Sequence, residues 1–279
     1  MKTMTLDAPK VSAPPIPMGM RPAESRVRTR RAERPTAAQR VLSVLDVFDQ
    51  EHLVLTLSEI SRRAGLSLST THRLVGELKE WGALDRRDDG RYTIGLRVLE
   101  LGSLEPQGLR LRTVALPYLS DLHSAIAADV MLSVRDGTDI VYVESLRSRR
   151  GAPVLTRFGG RWPMHATATG QVLLAHAPLD VQHEVLDGDL RRFTAKTCTD
   201  GDDLRRRLGD IRSAGYTIVD EAITTGAVAI AVPVFGQADR VVSAIGATIR
   251  RGSCPPESVL PALSMAARAI SRRLGGGRS

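Results

Sequence analysis

Residues 55–95 read LTLSEISRRAGLSLSTTHRLVGELKEWGALDRRDDGRYTIG, and this stretch decides the fold of the N-terminal part of the chain. Thr56 and Glu59 have the spacing of a capping box, in which each side chain accepts a backbone N–H of the other residue. Gly65 is a natural residue to end the helix that they start. Another helix is predicted to begin near Ser67. Two helices joined by a short turn that contains glycine predict a helix-turn-helix.

Helix and strand signals flank this stretch on both sides. Thr36 and Gln39 have the spacing of a second capping box, and apolar residues follow them at helical spacing, so a first helix is predicted there. On the other side, residues 84–87 and 91–94 flank an Asp-Asp-Gly turn and predict a β-hairpin. Three helices followed by a hairpin indicate a winged helix-turn-helix, which we place at residues 36–95.

The helix that begins near Ser67 has two different faces. Thr71 and the leucines and valine after it share one side and should pack against the other helices. Ser69, Thr70 and Arg73 lie on another side, and hydroxyl and guanidinium groups suit phosphate oxygens and base edges. The alternative is a solvated surface helix, but the basic hairpin that follows favours DNA binding. The candidate DNA contacts are Arg40, Ser67, Ser69, Thr70, Thr71, His72, Arg73, Arg86, Arg87 and Arg91.

Positive charge is concentrated at the N-terminus. The formal net charge is +8, and residues 1–35 hold eight Lys and Arg against three Asp and Glu. The segment also contains six prolines and little apolar periodicity, so it is predicted to be a disordered basic arm. Such an arm suits a polyanion through counterion release. The alternative is an ordinary solubilising tail.

The composition gives no indication of a membrane, secreted or metal-binding protein. The longest apolar stretches are shorter than the about eighteen residues of a membrane span, and the N-terminus lacks the apolar core of a signal peptide. Cys198 and Cys254 form neither a CxxC motif nor a Cys/His cluster, so no disulfide framework or zinc site is predicted. We expect a cytoplasmic protein with no membrane contact, metal or cofactor.

The rest of the chain predicts a second, larger domain. Residues 96–108 should form a linker helix that is broken near Pro106, and residues 109–275 should form the domain itself. Strands are predicted at 130–134, 140–143, 216–219, 227–235 and 241–249, and helices at 109–127, 167–175, 204–214 and 256–274. Antiparallel hairpins with flanking helices indicate an α+β fold and not a parallel doubly wound sheet.

These stretches resemble the isocitrate-lyase-regulator (IclR) family of transcription regulators. The resemblance includes AAQRVLSVLDVF at residues 37–48 and most of residues 55–95. In the second domain it includes DGTDIVYVES, MHATATGQVLLA, RSAGYTIVDE, GAVAIAVPVF and VVSAIGATIR, which begin at residues 136, 164, 212, 226 and 241. It therefore extends over nearly all of the chain after residue 36.

The resemblance implies a sequence-specific DNA-binding regulator with a GAF-like effector-binding domain. Its effector would be a small organic or aromatic acid of a catabolic pathway, bound in a cleft beside the strands. The positions that match this cleft are Ala168, Thr169, Asp220, Ala229, Gly246 and Thr248.

The chain departs from the family pattern in this cleft. A frequent Arg-Cys pair is Val228-Ala229 here, and two strand serines are Gly246 and Thr248. Fewer polar partners make it costly to bury a small hydrophilic carboxylate. We therefore expect an effector that is larger or more apolar than glyoxylate or pyruvate, such as an aromatic acid.

Two other classes of function are less well supported. An enzyme on a GAF-like domain would need a nucleophile and a base, and the chain has no GxSxG, P-loop or GxGxxG motif, so no catalytic residue is predicted. An architectural DNA-binding protein would not need the large second domain. Because operators mirror protein symmetry, we expect a homodimer or a dimer of dimers on a palindromic, double-stranded operator.

Overall fold

The computed structural model describes residues 35–49, 51–149, 151–152 and 157–277. The predicted basic arm therefore lies outside the described residues, apart from Pro35. The chain divides between Glu105 and Pro106 into two compact units, each with a hydrophobic core of its own. Within the described ranges, no helix is both long enough and apolar enough to cross a membrane.

Three helices build most of the N-terminal unit. They are α1 (Ala37–Leu45), α2 (Leu57–Ala64) and α3 (Leu68–Trp81), and both predicted capping boxes are present. Gly65 and Gly82 end α2 and α3 with φ of 67° and 87°, a left-handed conformation that glycine adopts without strain. The predicted helix-turn-helix is confirmed.

A short hairpin, the wing, follows α3. Its antiparallel strands are β1 (Leu84–Arg86) and β2 (Tyr92–Ile94), and Gly90, at φ 79°, closes the loop between them. The main chain of Leu55 pairs with that of Tyr92, which ties the wing to the segment before α2. The predicted hairpin is therefore present and is held by backbone hydrogen bonds.

The core of this unit is formed by the apolar faces of all three helices and the wing. Val44 of α1, Ile60 of α2, Leu74 of α3 and Leu84 of β1 are each at most 2% exposed. Burial of a side chain of this size contributes about 1.5–3 kcal/mol. These contacts fix the orientation of α3 within the unit.

The break between the wing and the second unit is shorter than predicted. Helix α4 spans Leu96–Gly102, and α5 already begins at Pro106 and continues to Ile126. Proline suits the first turn of a helix because its missing N–H would have no partner there. Residues 106–108, which the sequence suggested for the linker, therefore belong to α5.

A six-stranded antiparallel sheet forms the centre of the C-terminal unit, and its antiparallel character and five of its strands were predicted. Its strands are β3 (Asp129–Asp136), β4 (Asp139–Leu146), β5 (Arg161–Pro163), β6 (Thr217–Asp220), β7 (Ala227–Phe235) and β8 (Val241–Arg250), and their order is β5-β4-β3-β8-β7-β6. The pairing of β3 with β8 places Met131 opposite Gly246. The sheet therefore joins segments that are far apart in the sequence.

Helices cover both faces of this sheet. Side chains of α6 (Ala168–Ala175), α7 (Leu179–Leu186) and α8 (Gly201–Ala214) share one core with Met131. Side chains of α5 and of α9 (Leu260–Arg273), which follows a 3-10 turn, share the other core with Val130. Neighbouring residues of β3 therefore enter opposite cores, as the pleat of a strand requires. Strand β5 and helix α7 were not predicted.

Candidate functional site

The exposed face of α3 begins at its N-terminal cap. The Ser67 hydroxyl oxygen accepts the Thr70 N–H at 3.3 Å, and the Ser67 hydroxyl donates to Thr70 Oγ1 at 2.9 Å. Ser69 and His72 present exposed side chains beside this pair. The helix start therefore offers several hydroxyl groups and an imidazole to a partner.

Thr71 does not belong to this exposed face. Its side chain is 0% exposed, and its hydroxyl donates to the Ser67 carbonyl oxygen at 2.9 Å. The prediction that Thr71 packs inward is confirmed. Its place among the candidate DNA contacts is wrong, because a fully buried side chain cannot reach DNA.

Arg73 lies in the middle of the exposed face. Its side chain is 62% exposed, and its guanidinium lies 2.5 Å from the Glu77 carboxylate, one turn later. An exposed helical pair of this kind contributes only about 0.3–0.5 kcal/mol. Arg73 can therefore exchange Glu77 for a phosphate or a guanine edge. Arg40 lies apart from this face, on α1, where its Nε donates to the Thr36 carbonyl oxygen at 3.4 Å.

The three arginines of the wing are exposed, and each has a neighbour. Arg91 donates twice to one Asp89 oxygen, at 2.7 and 3.0 Å, and these bonds hold the pKa of Asp89 below its usual value. Arg87 Nε lies 3.8 Å from the same oxygen. The Arg86 guanidinium lies over the Tyr92 ring, 5.9 Å from its centre. The wing thus presents three exposed arginines, two of which lie near the Asp89 carboxylate.

The N-terminal unit is not basic as a whole. Residues 36–95 contain eight Lys and Arg against nine Asp and Glu, a formal net charge of −1, and the wing segment 84–94 contains three Arg and three Asp. The three arginines of the predicted basic hairpin are therefore matched in number by three acids. The attraction of this unit for DNA must come from the positions of individual guanidinium groups.

A cavity lies beside α6 in the C-terminal unit. Its volume is about 50 Å³, several times the about 10–15 Å³ that one water molecule requires. We call it the sheet cavity, and it is lined by Met131, Tyr142, Ala166, Thr167, Ala168, Thr169, Val219, Ala222, Ile223, Thr224, Ala227, Ala229, Ile230, Gly246, Ala247 and Thr248. Five of the six positions inferred for effector binding are in this lining: Ala168, Thr169, Ala229, Gly246 and Thr248.

The lining of the sheet cavity is mostly apolar, and none of its described residues carries a charge. Burial raises the pKa of Tyr142 to about 12, which the nearby Thr169 and Thr167 hydroxyls offset only in part, so the phenol stays protonated. The Oγ1 atoms of Thr169 and Thr224 are buried without a hydrogen bond of good geometry. Such hydroxyls are costly to bury unless water or a ligand bonds to them.

Asp220 lies beside the sheet cavity and not in its lining. Its carboxylate is 40% exposed and lies 2.5 Å from Lys196 Nζ and 3.3 Å from Arg251 Nε. It belongs to an ion-pair cluster at the start of the loop 221–226, which supplies part of the lining. Of the six positions inferred for effector binding, Asp220 is therefore the one that lies in an ion-pair cluster and not in the lining of the sheet cavity.

Tyr142 and the loop 221–226 are the parts of the site that sequence reasoning missed. Tyr142 lies in a predicted strand, but the apolar run at residues 140–143 does not show which of its residues face the cavity; the structure shows that Ile140, Tyr142 and Glu144 are buried. The loop has no periodic signal. Within the described part of the chain, no three His, Cys, Asp or Glu side chains are grouped so that they could hold a metal ion.

Two family models match the chain. The model described as IclR helix-turn-helix domain covers residues 37–88, and the one described as bacterial transcriptional regulator IclR C-terminal covers residues 106–272. The HTH-type transcriptional regulator XynR of Escherichia coli K12 is 30% identical, over 86% of this chain and 97% of that protein. The Pca regulon regulatory protein of Pseudomonas putida is 28% identical, over 86% of this chain and 84% of that protein.

Solved structures agree with these matches. An IclR homolog from Microbacterium hydrocarbonoxydans, complexed with 4-hydroxybenzoate, has a TM-score of 0.80 and 35% identity, over 85% of this chain and 98% of that chain. Thermotoga maritima IclR has a TM-score of 0.70 and 27% identity, over 85% of this chain and 98% of that chain. Both units described above are thus matched together, and the chain belongs to the IclR family of bacterial DNA-binding transcriptional regulators.

Proposed function

We propose that this regulator changes its affinity for operator DNA when an aromatic acid occupies the sheet cavity. The observation that carries the ligand class is the lining, which combines apolar side chains with hydroxyl groups and has no charge among its described residues. The similar IclR homolog that was crystallised with 4-hydroxybenzoate supports the same class.

The lining suggests how such an acid would bind. Its ring would contact Met131, Ala229 and Gly246. Its carboxylate would be stabilised by the first N–H groups of α6, which have no acceptor inside the helix, and by the protonated hydroxyl of Tyr142. Glyoxylate or pyruvate, which are almost wholly polar, would be costly to bury in a lining that offers so few polar partners.

On the DNA, the exposed residues of α3 would read base edges, and the wing and the basic arm would contact the phosphate backbone. Arg73 is central to this assignment, because an arginine in the major groove can bond both O6 and N7 of a guanine. The remaining candidates are Arg40, Ser67, Ser69, Thr70, His72, Arg86, Arg87 and Arg91.

The surface of α4 supports a homodimer. Leu96, Leu99 and Leu101 are 65, 67 and 45% exposed, and the helix buries none of its residues. An apolar surface of this kind is expected to be covered on association. A second copy would cover it symmetrically and would present two α3 helices to the half-sites of a palindromic operator, and two such dimers would give a dimer of dimers.

The effector would act through the assembly. A ligand shifts an equilibrium only if it binds one arrangement of the DNA-binding units more tightly than another. The protein would work by binding and not by catalysis, in the cytoplasm, where its DNA partner lies.

Fluorescence anisotropy on labelled DNA from upstream of its own gene tests this proposal. We expect saturable binding that survives a scrambled competitor, and an affinity that changes with 4-hydroxybenzoate or a related aromatic acid, with direct binding of that acid seen by calorimetry. Pyruvate and glyoxylate serve as controls and should have no effect. Binding of these small acids alone would contradict the proposed ligand class.

A further inference from the structure

Gly76 lies in the middle of α3, on its exposed face. Glycine in the interior of a helix destabilises it relative to alanine, because the unfolded chain loses more conformational freedom on folding. A structural or functional reason for a glycine here would be a contact that needs the space, either inside the protein or in a partner.

Nothing among the described residues provides that reason. The φ of Gly76 is not in the left-handed region, and a Cβ added to it would meet no atom within 4 Å. The neighbouring glycines differ. Gly82 has φ 87°, and a Cβ on Gly95 would lie 2.2 Å from the Gly82 carbonyl oxygen. Those two glycines are required by the fold, whereas Gly76 is not.

The position of Gly76 on the helix indicates a partner. It lies three residues after Arg73 and seven after Ser69, and residues at these spacings share one side of a helix. The buried residues Leu74 and Leu78 lie on the opposite side. Gly76 thus leaves the surface of α3 directly after Arg73, on the same side of the helix, without a side chain.

We infer that Gly76 is the point of closest approach between α3 and DNA. Without a Cβ, the helix can sit deeper in the major groove and bring Ser69 and Arg73 within reach of base edges. The exposed residues nearby on α3 include the charged Glu77, Lys79 and Glu80, which argues against an apolar partner at this surface. The inference rests on the proposed role of α3 as the reading helix.

The test uses the full chain and duplexes that the wild type has selected from a random library, with affinity measured by fluorescence anisotropy. Gly76→Ala should weaken binding about tenfold or more, the size of loss that one mismatched base pair causes. The same variant should raise Tm by about 2–4 °C, because alanine favours the helix. Gly76→Gln should bind more weakly still.

Gly209→Ala is the matched control. Gly209 also lies inside a helix, α8 of the other unit, where an added Cβ would meet only Arg212 Nη2, at 3.8 Å. This variant should raise Tm in the same way and leave DNA affinity unchanged. A Gly76→Ala protein that gains Tm and keeps full affinity would overturn the inference, and so would one that loses Tm, since the glycine would then serve packing.

Arg73→Ala separates this inference from the proposal on which it rests. If Arg73→Ala weakens binding and Gly76→Ala does not, only the inference about Gly76 fails. If neither substitution changes the affinity, α3 is not the reading helix, and the proposed DNA-binding face fails with it. Loss of affinity in both variants, with the Tm of Gly76→Ala raised, supports both.

Discussion

At the scale of single residues, Gly246 sets the width of the sheet cavity. An added Cβ there would lie 2.8 Å from Thr169 Cγ2 and 3.2 Å from the Ile230 carbonyl oxygen. The φ of Gly246 is not in the left-handed region, so glycine is needed for space and not for backbone conformation. The family resemblance indicated that Gly246 replaces a serine, so that a ligand has one polar partner fewer here. The structure adds that a side chain at this position would collide with Thr169.

Gly246→Ser should therefore narrow the sheet cavity and weaken the binding of 4-hydroxybenzoate. A loss of about 1–3 kcal/mol, the usual cost of overpacking, corresponds to about five- to 150-fold in affinity. Isothermal titration calorimetry on the full chain measures this loss. Gly209→Ser, on α8, is the control and should bind like the wild type. A folded Gly246→Ser protein with unchanged affinity would show that the ligand does not contact this residue.

At the scale of elements, the loop 221–226 forms one wall of the sheet cavity and is held by Glu221. This residue has a φ of 55°, an unfavourable conformation for a residue other than glycine. Its carboxylate accepts the Gly226 N–H at 2.6 Å and lies 2.6 Å from Lys196 Nζ and 3.3 Å from Arg251 Nη1. The Thr197 hydroxyl donates to the carbonyl oxygen of Ala222 at 2.6 Å. Together these contacts hold the loop 221–226 in place beside the sheet cavity.

Glu221→Gln should loosen this loop. It removes the charge that pairs with Lys196 and Arg251 and keeps an oxygen for the Gly226 N–H. Amide hydrogens of residues 222–226 should exchange several-fold faster, as measured by mass spectrometry. Asp220→Asn is the comparison variant: it takes a carboxylate from the same two cations but leaves the ionised Glu221 acceptor of the Gly226 N–H in place, so exchange should rise less. Equal exchange in Glu221→Gln and wild type would contradict a restraining role.

The same contact predicts a dependence on pH. The bonds from Lys196 and the Gly226 N–H hold the pKa of Glu221 below its ordinary value of 4.5. The ionised carboxylate therefore stabilises the loop fully above about pH 4.5, and this contribution is lost as the pH falls through the lowered pKa. Loop exchange, corrected for its intrinsic pH dependence, should rise on acidification in the wild type and show no such step in Glu221→Gln.

At the scale of the whole molecule, charge is divided unevenly along the chain. Residues 1–35 carry a net +5, from eight Lys and Arg against three Asp and Glu, whereas residues 36–95 carry a net −1. The unit with the reading helix therefore contributes no net attraction for a polyanion. We therefore expect the affinity for DNA of any sequence to depend on the basic arm, residues 1–35. Discrimination between DNA sequences should depend on α3.

Deletion of residues 2–34 should accordingly flatten the salt dependence of DNA binding and preserve base preference. The slope of log K against log salt should fall by about 0.9 for each phosphate contact that is lost. Anisotropy titrations at several salt concentrations measure it. In the full chain with Arg28, Arg30 and Arg31 changed to Gln, the slope of log K against log salt should fall by less than in the deletion variant. If the deletion abolished base preference, the assignment of reading to α3 would be wrong.

Features that depend on residues close together in the chain could be predicted from the sequence. The capping box of Thr56 and Glu59 closes within four residues, and the left-handed ends at Gly65 and Gly82 follow from what glycine can adopt. Strand β7 was likewise predicted at its observed bounds, from its apolar run. Elements with weak local signals were missed, since α7 has no side-chain cap and β5 has three residues.

The sheet cavity and the exposed face of α3 depend on tertiary contacts and could not be predicted in full. Tyr142, Thr169, Thr224 and Gly246 come from four separate segments, and they meet because strands distant in sequence pair and bury both faces of one sheet. Likewise, the buried position of Thr71 follows from how α3 packs in its unit. A cap needs only hydrogen bonds between neighbours, but a cavity needs long-range pairing, whose partners no local pattern specifies.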